Sequence, residues 1–154
     1  MTTSTKGKVR TVLGLIDPSD LGVTLPHEHL FIDESIYFVS ADEPTRKALA
    51  RQPLGLENLG LVRFNPDINI DNLRLDDEDM MVKEVTRFKL AGGNTIVDGT
   101  PGYGLGRDIE ALRRLSIRTG VNVIASAGYY VSIGHPKDMN SKTLDATLFS
   151  PCQR

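Results

Sequence analysis

The sequence predicts an α/β fold with a parallel sheet, and three observations support this prediction. Strand-like and helical segments alternate after residue 75, which is typical of βα units. The turns between them are short, and residues 121–131 form a nearly continuous apolar run of the kind found in strands buried on both faces. The 154 residues, 40% hydrophobic and 25% charged, suffice for one domain with a sizeable core.

The N-terminal part of the chain predicts two strand elements. Residues 8–16 read as a short strand or hairpin arm, closed by the turn signal Asp17-Pro18. A second strand begins near Val23, in the segment GVTLPHEHLFID. Pro26 lacks the N–H group that a sheet ladder uses, so we expect the strand to be irregular at that point.

The stretch from Glu34 to about Leu75 predicts an insertion. It contains three prolines, several Asn and Asp residues, and only one plausible short helix, EPTRKALAR. A connection of this length is uncommon between neighbouring elements. We therefore expect it to have a functional or capping role.

The remaining elements follow in the order helix, strand, helix, strand. The segment LDDEDMMVKEVTRFKLAGG has acidic residues in its first turn, an apolar face and a Gly-Gly stop, which predict a helix. NTIVDGT predicts a short strand. IEALRRLSIRTG predicts a second helix, with Asp108 as its cap and Gly120 just past its end. VNVIASAGYYV predicts the last strand.

The composition excludes several classes of partner. The formal net charge is −2 and basic residues are interspersed with acidic ones, so we expect no nucleic acid partner. The N-terminus lacks the apolar core of a signal peptide and no window approaches the ~18 apolar residues of a membrane span, so we expect a cytoplasmic protein without a membrane partner. The single cysteine, Cys152, fits a reducing compartment, and we do not expect it to be catalytic.

The motif PHEH is the strongest candidate site. In a regular strand His27 and His29 project from the same face and Glu28 from the opposite one, an arrangement that suits chelation of a Zn, Co, Ni, Mn or Fe ion. The alternative is that these histidines occupy a polar niche of the sheet. Two imidazoles are too few for a catalytic zinc, which usually has three protein ligands and a water.

Three other features are weaker candidates. Asp98 ends the strand TIVD, where α/β folds place functional groups, and a capping or turn role is the alternative. His135, before a proline in a loop, is expected to be structural. The loop PGYGLGRD resembles a dinucleotide fingerprint but has Arg107 where the third glycine is required, which leaves nucleotide binding as a minor alternative.

Taken together, the segments GLIDPSDLGVTLPHEHLFID, RLDDEDMMVKEVTRFKLAGGNTIVDGTPGYGLGRDIEALRRLSIRTGVNVIASAGYYV and GHP resemble the N-terminal part of the phosphotriesterase family of the amidohydrolase superfamily. The resemblance covers about residues 10–144, and LPHEH matches the metal motif of the family. It implies a TIM-type (β/α)₈ barrel, of which this chain contains about three βα units. We therefore interpret residues 1–154 as a single incomplete barrel domain with a divergent tail, 145–154.

The resemblance also implies a binuclear metal centre, usually zinc. His27 and His29 then bind the more buried ion, whereas a bridging carboxylated lysine, two further histidines and an aspartate come from later strands. No position of this chain matches those residues, so no catalytic residue is expected within it. In the family a metal-bridging hydroxide attacks phosphorus or a carbonyl carbon. Tyr130 matches a position that lines the substrate pocket, although a core or rim aromatic is the alternative.

The expected function is that of a metal-dependent hydrolase acting on phosphotriester, lactone or related ester bonds of small molecules. Because a complete barrel takes ~250 residues, we expect the chain to be a truncated or frameshifted product or a piece of a longer protein. On its own it should be nearly inactive and should fold poorly or associate, since sheet edges and apolar faces are exposed. Homo-oligomer formation stays open for a full-length form. The alternative is a non-catalytic binding protein or an inactive remnant with the same layout.

Overall fold

The computed structural model describes residues 5–141, and its centre is a three-stranded parallel sheet. The predicted tail, 145–154, and Cys152 lie outside the described residues. The strands are β1 Val9–Thr11, β2 Gly14–Ile16, β3 Thr24–Glu28, β4 Ile32–Asp33, β5 Arg74–Leu75, β6 Thr95–Asp98 and β7 Asn122–Ala125. The helices are α1 Pro44–Leu49, α2 Leu56–Phe64, α3 Glu78–Leu90 and α4 Ile109–Thr119.

The parallel sheet has the strand order β3-β6-β7, so each of its strands pairs with the next parallel strand along the chain. Residues 8–16, predicted as one short strand or one hairpin arm, form a complete hairpin instead: β1 and β2 pair in antiparallel fashion across a turn at residues 12–13. Beyond β1, the Val12 N–H donates to the Val123 carbonyl at 2.8 Å, and this bond places the hairpin beside β7. The predicted α/β class with a parallel sheet is confirmed.

The two predicted helices pack against each other and enclose the main core with the sheet. α3 begins at Asp77, whose side chain accepts from the Met80 N–H at 2.9 Å, and α4 begins at the predicted cap Asp108 in the same way. α4 ends at Gly120, which has a φ of 65° that favours glycine. The fully buried part of this core consists of Ile96, Leu112, Leu115, Val121 and Val123.

The last strand is shorter than its apolar run predicts. β7 ends at Ala125, and Gly128, with a φ of 108°, turns the chain soon afterwards. Beyond the strand, a single parallel bridge joins Tyr129 to Tyr103. The prediction of a continuous strand through residue 131 is therefore wrong, because glycine in this conformation interrupts the extended backbone.

The insertion between β4 and β5 contains two α-helices, whereas the sequence predicted one. α1 corresponds to the predicted helix EPTRKALAR. α2 was missed because its largest apolar side chains do not form a buried stripe: Leu56 is 90% exposed and Phe64 is 85% exposed. Single helical turns connect these elements, at Pro18–Asp20, Ser35–Tyr37, Pro66–Ile68, Asp71–Leu73, Ser132–Gly134 and Met139–Ser141. Across residues 5–141, no helix is both long enough and apolar enough to pass through a membrane.

Candidate metal centre

The candidate site lies where β3 leaves the sheet. Leu25 pairs with Ile96 and Glu28 pairs with Asp98, so three residue steps on β3 oppose two steps on β6. This extra residue is a β-bulge, and Pro26 lies within it. The irregularity that the proline predicted is present, and it re-aims the side chains that follow.

The two imidazole rings of the PHEH motif lie side by side. The ring centroids of His27 and His29 are 5.4 Å apart, and the ring planes meet at 73°. Both residues are exposed. The regular alternation that we used to predict this proximity is absent, because His27 lies in the bulged part of β3 and His29 lies one residue beyond its end. The rings meet nonetheless, and their metal-binding role stays a prediction.

The spacing of the two rings suits a shared metal ion. A zinc–nitrogen bond of about 2.1 Å puts each bound ring centre roughly 3 Å from the ion, so two bound imidazoles have centres about 5 Å apart. The observed 5.4 Å agrees with that spacing. Within residues 5–141 no group of three or more His, Cys, Asp or Glu side chains is arranged to hold a metal. The described residues therefore fit part of a ligand set.

Asp98 is a buried link between the ends of β3 and β6. Its side chain is inaccessible to solvent, and its two carboxylate oxygens accept backbone N–H groups of Leu30 and Thr100, each at 2.9 Å. These bonds connect the residue after the histidine pair to the loop after β6. The geometry supports the capping role that the sequence left open for Asp98, and its contact with substrate stays a prediction.

Gly99 and Thr100, which the sequence analysis missed, contact the two histidines directly. The Thr100 hydroxyl lies 2.9 Å from Nδ1 of His29. At Gly99, a Cβ atom would lie 2.7 Å from Nε2 of His27, so the absence of a side chain leaves room for that ring. Thr100 and His29 are 71 positions apart, and no local sequence pattern predicts a contact between them.

The loops after β6 and β7 form a joined rim above the sheet edge. Tyr103 and Tyr129 stack with centroids 5.0 Å apart, and His135 packs edge-on against Tyr129 at 5.7 Å. A Cβ atom at Gly104 would lie 2.8 Å from the Gly134 Cα, so the two backbones meet there. His135 thus has a packing role, and Gly104 of the glycine-rich turn serves close backbone contact.

Tyr130 is more exposed than Tyr103, the other exposed tyrosine of this rim. It is 60% exposed, which leaves its ring available to a ligand, although its predicted substrate contact is not tested by the geometry. Tyr37 of the insertion is close enough to interact electrostatically with it. The pKa of Tyr37 is raised above its ordinary value, mainly by partial desolvation and to a smaller extent by the charges of Tyr130, Glu34 and Asp67. Its phenol is therefore protonated at neutral pH.

These features define a class: part of a (β/α)₈-type barrel, with its candidate site at the carboxyl ends of the parallel strands. The model of the Phosphotriesterase family matches residues 7–148. The chain belongs to the phosphotriesterase family.

Individual relatives agree with this assignment. A Phosphotriesterase-related protein of Nematostella vectensis is 39% identical over 144 residues, which cover 92% of this chain and 41% of that protein. An N-acetyltaurine hydrolase of Bos taurus is 38% identical, with 92% of this chain and 40% of that protein covered. The crystal structure of a Resiniferatoxin-binding protein from Rhodobacter sphaeroides superposes with a TM-score of 0.82 at 41% identity, covering 92% of this chain and 39% of that chain. This chain thus spans about 40% of the length of the curated relatives it matches.

Proposed function

We propose that the chain contributes the first-strand part of a metal-dependent hydrolase site that acts on phosphotriester, lactone or related ester bonds of small molecules. The observation that carries this proposal is the paired arrangement of His27 and His29, with ring centroids 5.4 Å apart, in a chain of the phosphotriesterase family. These histidines would hold one divalent ion, which we expect to be zinc. When bound, a divalent metal centre activates water and polarises the oxygen of the bond to be cleaved.

The residues of this chain would hold the site in shape and contact the substrate. Asp98 ties the end of β3 to the loop after β6, so the imidazole pair is presented on a fixed backbone. Tyr130, 60% exposed on the rim, would offer an aromatic surface and a phenol to a small substrate. The bridging lysine, the second histidine pair and the terminal aspartate would come from later barrel strands, as the family resemblance implies.

The bonds proposed for cleavage should include amides as well as esters, because several relatives carry the name N-acetyltaurine hydrolase. N-acetyltaurine contains an amide. Polarisation of a carbonyl oxygen assists attack on an amide as it does on an ester, so amides belong in the substrate panel. The non-catalytic alternative also has a specific observation behind it, since the superposed Rhodobacter sphaeroides protein is named for binding a ligand.

Zinc binding by the purified chain tests the proposal. We expect about one zinc per chain by calorimetric titration, since the pair forms one partial site. His27→Ala and His29→Ala should each abolish that binding. His135→Ala is the matched control, because this histidine packs against Tyr129 and not against the pair, and it should bind zinc like the unmodified chain. Zinc binding that survives both changes would contradict the proposal.

Hydrolysis is tested in two forms of the protein. The isolated chain, given zinc, should show little or no turnover of paraoxon, lactones or N-acetyltaurine, because it lacks the ligands expected from later strands. A chimaera in which residues 7–148 replace the matched part of the Rhodobacter sphaeroides protein should hydrolyse at least one of them. Loss of that turnover in His27→Ala supports the hydrolase. A chimaera that binds zinc and ligands without turnover favours the non-catalytic alternative.

A further inference from the structure

We propose that Thr100 is a positioning residue for His29: its hydroxyl fixes the imidazole ring so that Nε2 faces outward as the metal-binding nitrogen. The proposal deepens the metal site described above and rests on it. Thr100 touches neither the metal nor the substrate in this arrangement. Its role is to select which ring nitrogen of His29 is offered.

The first step of the argument is that Thr100 is itself held rigidly. It is inaccessible to solvent, its N–H donates to Asp98 Oδ1 at 2.9 Å, and its carbonyl accepts from the Ser126 hydroxyl at 2.9 Å. These two bonds anchor its backbone to β6 and to the segment after β7. The backbone that carries the Thr100 hydroxyl is therefore held in place next to His29.

The second step is that His29 needs an external partner. Asp98 holds the backbone beside it, but the His29 side chain is exposed and lies beyond the last residue of β3, so burial does not fix the orientation of its ring. An imidazole turned by half a rotation about its Cβ–Cγ bond places Cδ2 where Nδ1 was and Cε1 where Nε2 was, so the flipped ring offers a carbon where the metal needs a nitrogen. The 2.9 Å contact from Nδ1 to the Thr100 hydroxyl favours one of these two orientations. A hydroxyl both donates and accepts, so it holds the ring in either tautomer.

The third step is the consequence for metal affinity. Metal-ligating histidines almost always have the second ring nitrogen hydrogen-bonded, and loss of that partner typically costs 10–100-fold in affinity. His27 is oriented differently, because its ring lies against Gly99, where a Cβ atom would be 2.7 Å from Nε2. The adjacent residues 99 and 100 thus each accommodate one histidine: Gly99 leaves room for the His27 ring, and Thr100 is hydrogen-bonded to the His29 ring.

The experiment compares Thr100→Val with Thr100→Ser in the 154-residue chain. Valine keeps the shape but removes the hydroxyl, and serine keeps the hydroxyl. We expect Thr100→Val to weaken zinc binding by about 10–100-fold and Thr100→Ser to stay close to the unmodified chain. Nuclear Overhauser contacts of the His29 ring protons in the zinc-free chain should show one orientation in the unmodified and serine forms and two in the valine form. Unfolding curves of all three forms check that the fold is kept.

The outcomes separate Thr100 from the metal site. If Thr100→Val keeps full zinc affinity while His29→Ala loses it, the positioning role is overturned and the metal site stands. If zinc binding is absent or insensitive to His29→Ala, the metal site is overturned, and ring orientation then decides on Thr100. A His29 ring with the same single orientation in the valine and unmodified forms overturns the positioning role in either case.

Discussion

The parallel-sheet unit and the insertion between β4 and β5 have interiors of different kinds. The sheet unit buries a continuous apolar cluster in which Leu112, Leu115 and Val123 are completely inaccessible to solvent. The insertion buries few apolar side chains, among them Ala50, Val62 and Leu73, and all three lie outside that cluster. The first interior gains stability from burial of apolar area, whereas the second must rely on other interactions.

Two buried asparagines organise the insertion. Asn69 is 1% exposed, and its amide donates to the carbonyls of Leu49 and Gln52, each at 2.9 Å, while its Oδ1 accepts from the Asn72 N–H. Asn58 is 3% exposed and connects the Gly55 N–H to the preceding Pro53 carbonyl. Because these bonds satisfy backbone groups that loops would otherwise bury unpaired, the insertion is held by polar contacts.

The largest expected effect concerns the apolar interior. Leu112→Ala removes a fully buried side chain from α4, so we expect the free energy of unfolding to fall by about 2–5 kcal/mol. Ile117→Ala, in the same helix at 66% exposure, is the matched control and should change it by less than about 0.5 kcal/mol. Chemical denaturation followed by circular dichroism measures both. Equal effects from the two changes would mean that the apolar cluster is not the principal source of stability.

A smaller and more local effect is expected in the insertion. Asn69→Ala removes the side-chain donor of the Leu49 and Gln52 carbonyls, at a cost of about 0.5–1.5 kcal/mol for each hydrogen bond lost. Amide hydrogen exchange should therefore accelerate in residues 44–73 while β6 and β7 keep their protection. Asn65→Ala, at an exposed position, is the control. If Asn69→Ala accelerates exchange in the sheet as strongly, the two regions unfold as one unit and the contrast between them fails.

The contrast also explains which parts of the fold could be predicted from the sequence. α3, α4 and β6 follow from apolar periodicity, from Asp108 as a cap and from Gly120 as a stop, all of which are local signals. α2 has no such signal, since its exposed face contains Leu56 and Phe64. An asparagine that stabilises by bonding distant carbonyls looks, in the sequence, like any loop residue.

The candidate site divides in the same way. The histidine pair is recognisable from its motif, although the bulge at Pro26 changes the geometry that brings the rings together. Gly99 and Thr100 act through contacts across about seventy residues, and the sequence contains no periodic or motif signal for them. Motifs therefore predicted the groups that would do chemistry, whereas the groups that orient them became visible only in the packed structure.

The smallest expected effect is electrostatic and lies where the two regions meet. Asp33 of β4 faces Arg74 of β5 at 3.3 Å, and its carboxylate accepts from the Ser35 N–H at 2.8 Å. Partial burial raises the pKa of Asp33, but the hydrogen bonds from Ser35 and the charge of Arg74 outweigh it, so the pKa lies below the ordinary 3.8. Since the folded-state pKa is lowered, the contribution of this carboxylate to stability is present above about pH 4 and is lost as the pH falls through the folded value.

Carboxyl carbon chemical shifts followed by NMR over a pH titration measure this pKa directly. Arg74→Gln should raise the pKa of Asp33, because the charge and the hydrogen bond of Arg74 both lower it. Arg51→Gln, which removes a positive charge elsewhere in the insertion, should leave it unchanged. Both side chains of the ion pair are more than 40% exposed, so solvent screening keeps the effect on unfolding small. If the pKa of Asp33 does not change in Arg74→Gln, the ion pair does not stabilise the Asp33 carboxylate. The β4–β5 ladder then joins the two regions through its backbone hydrogen bonds and Ser35 alone.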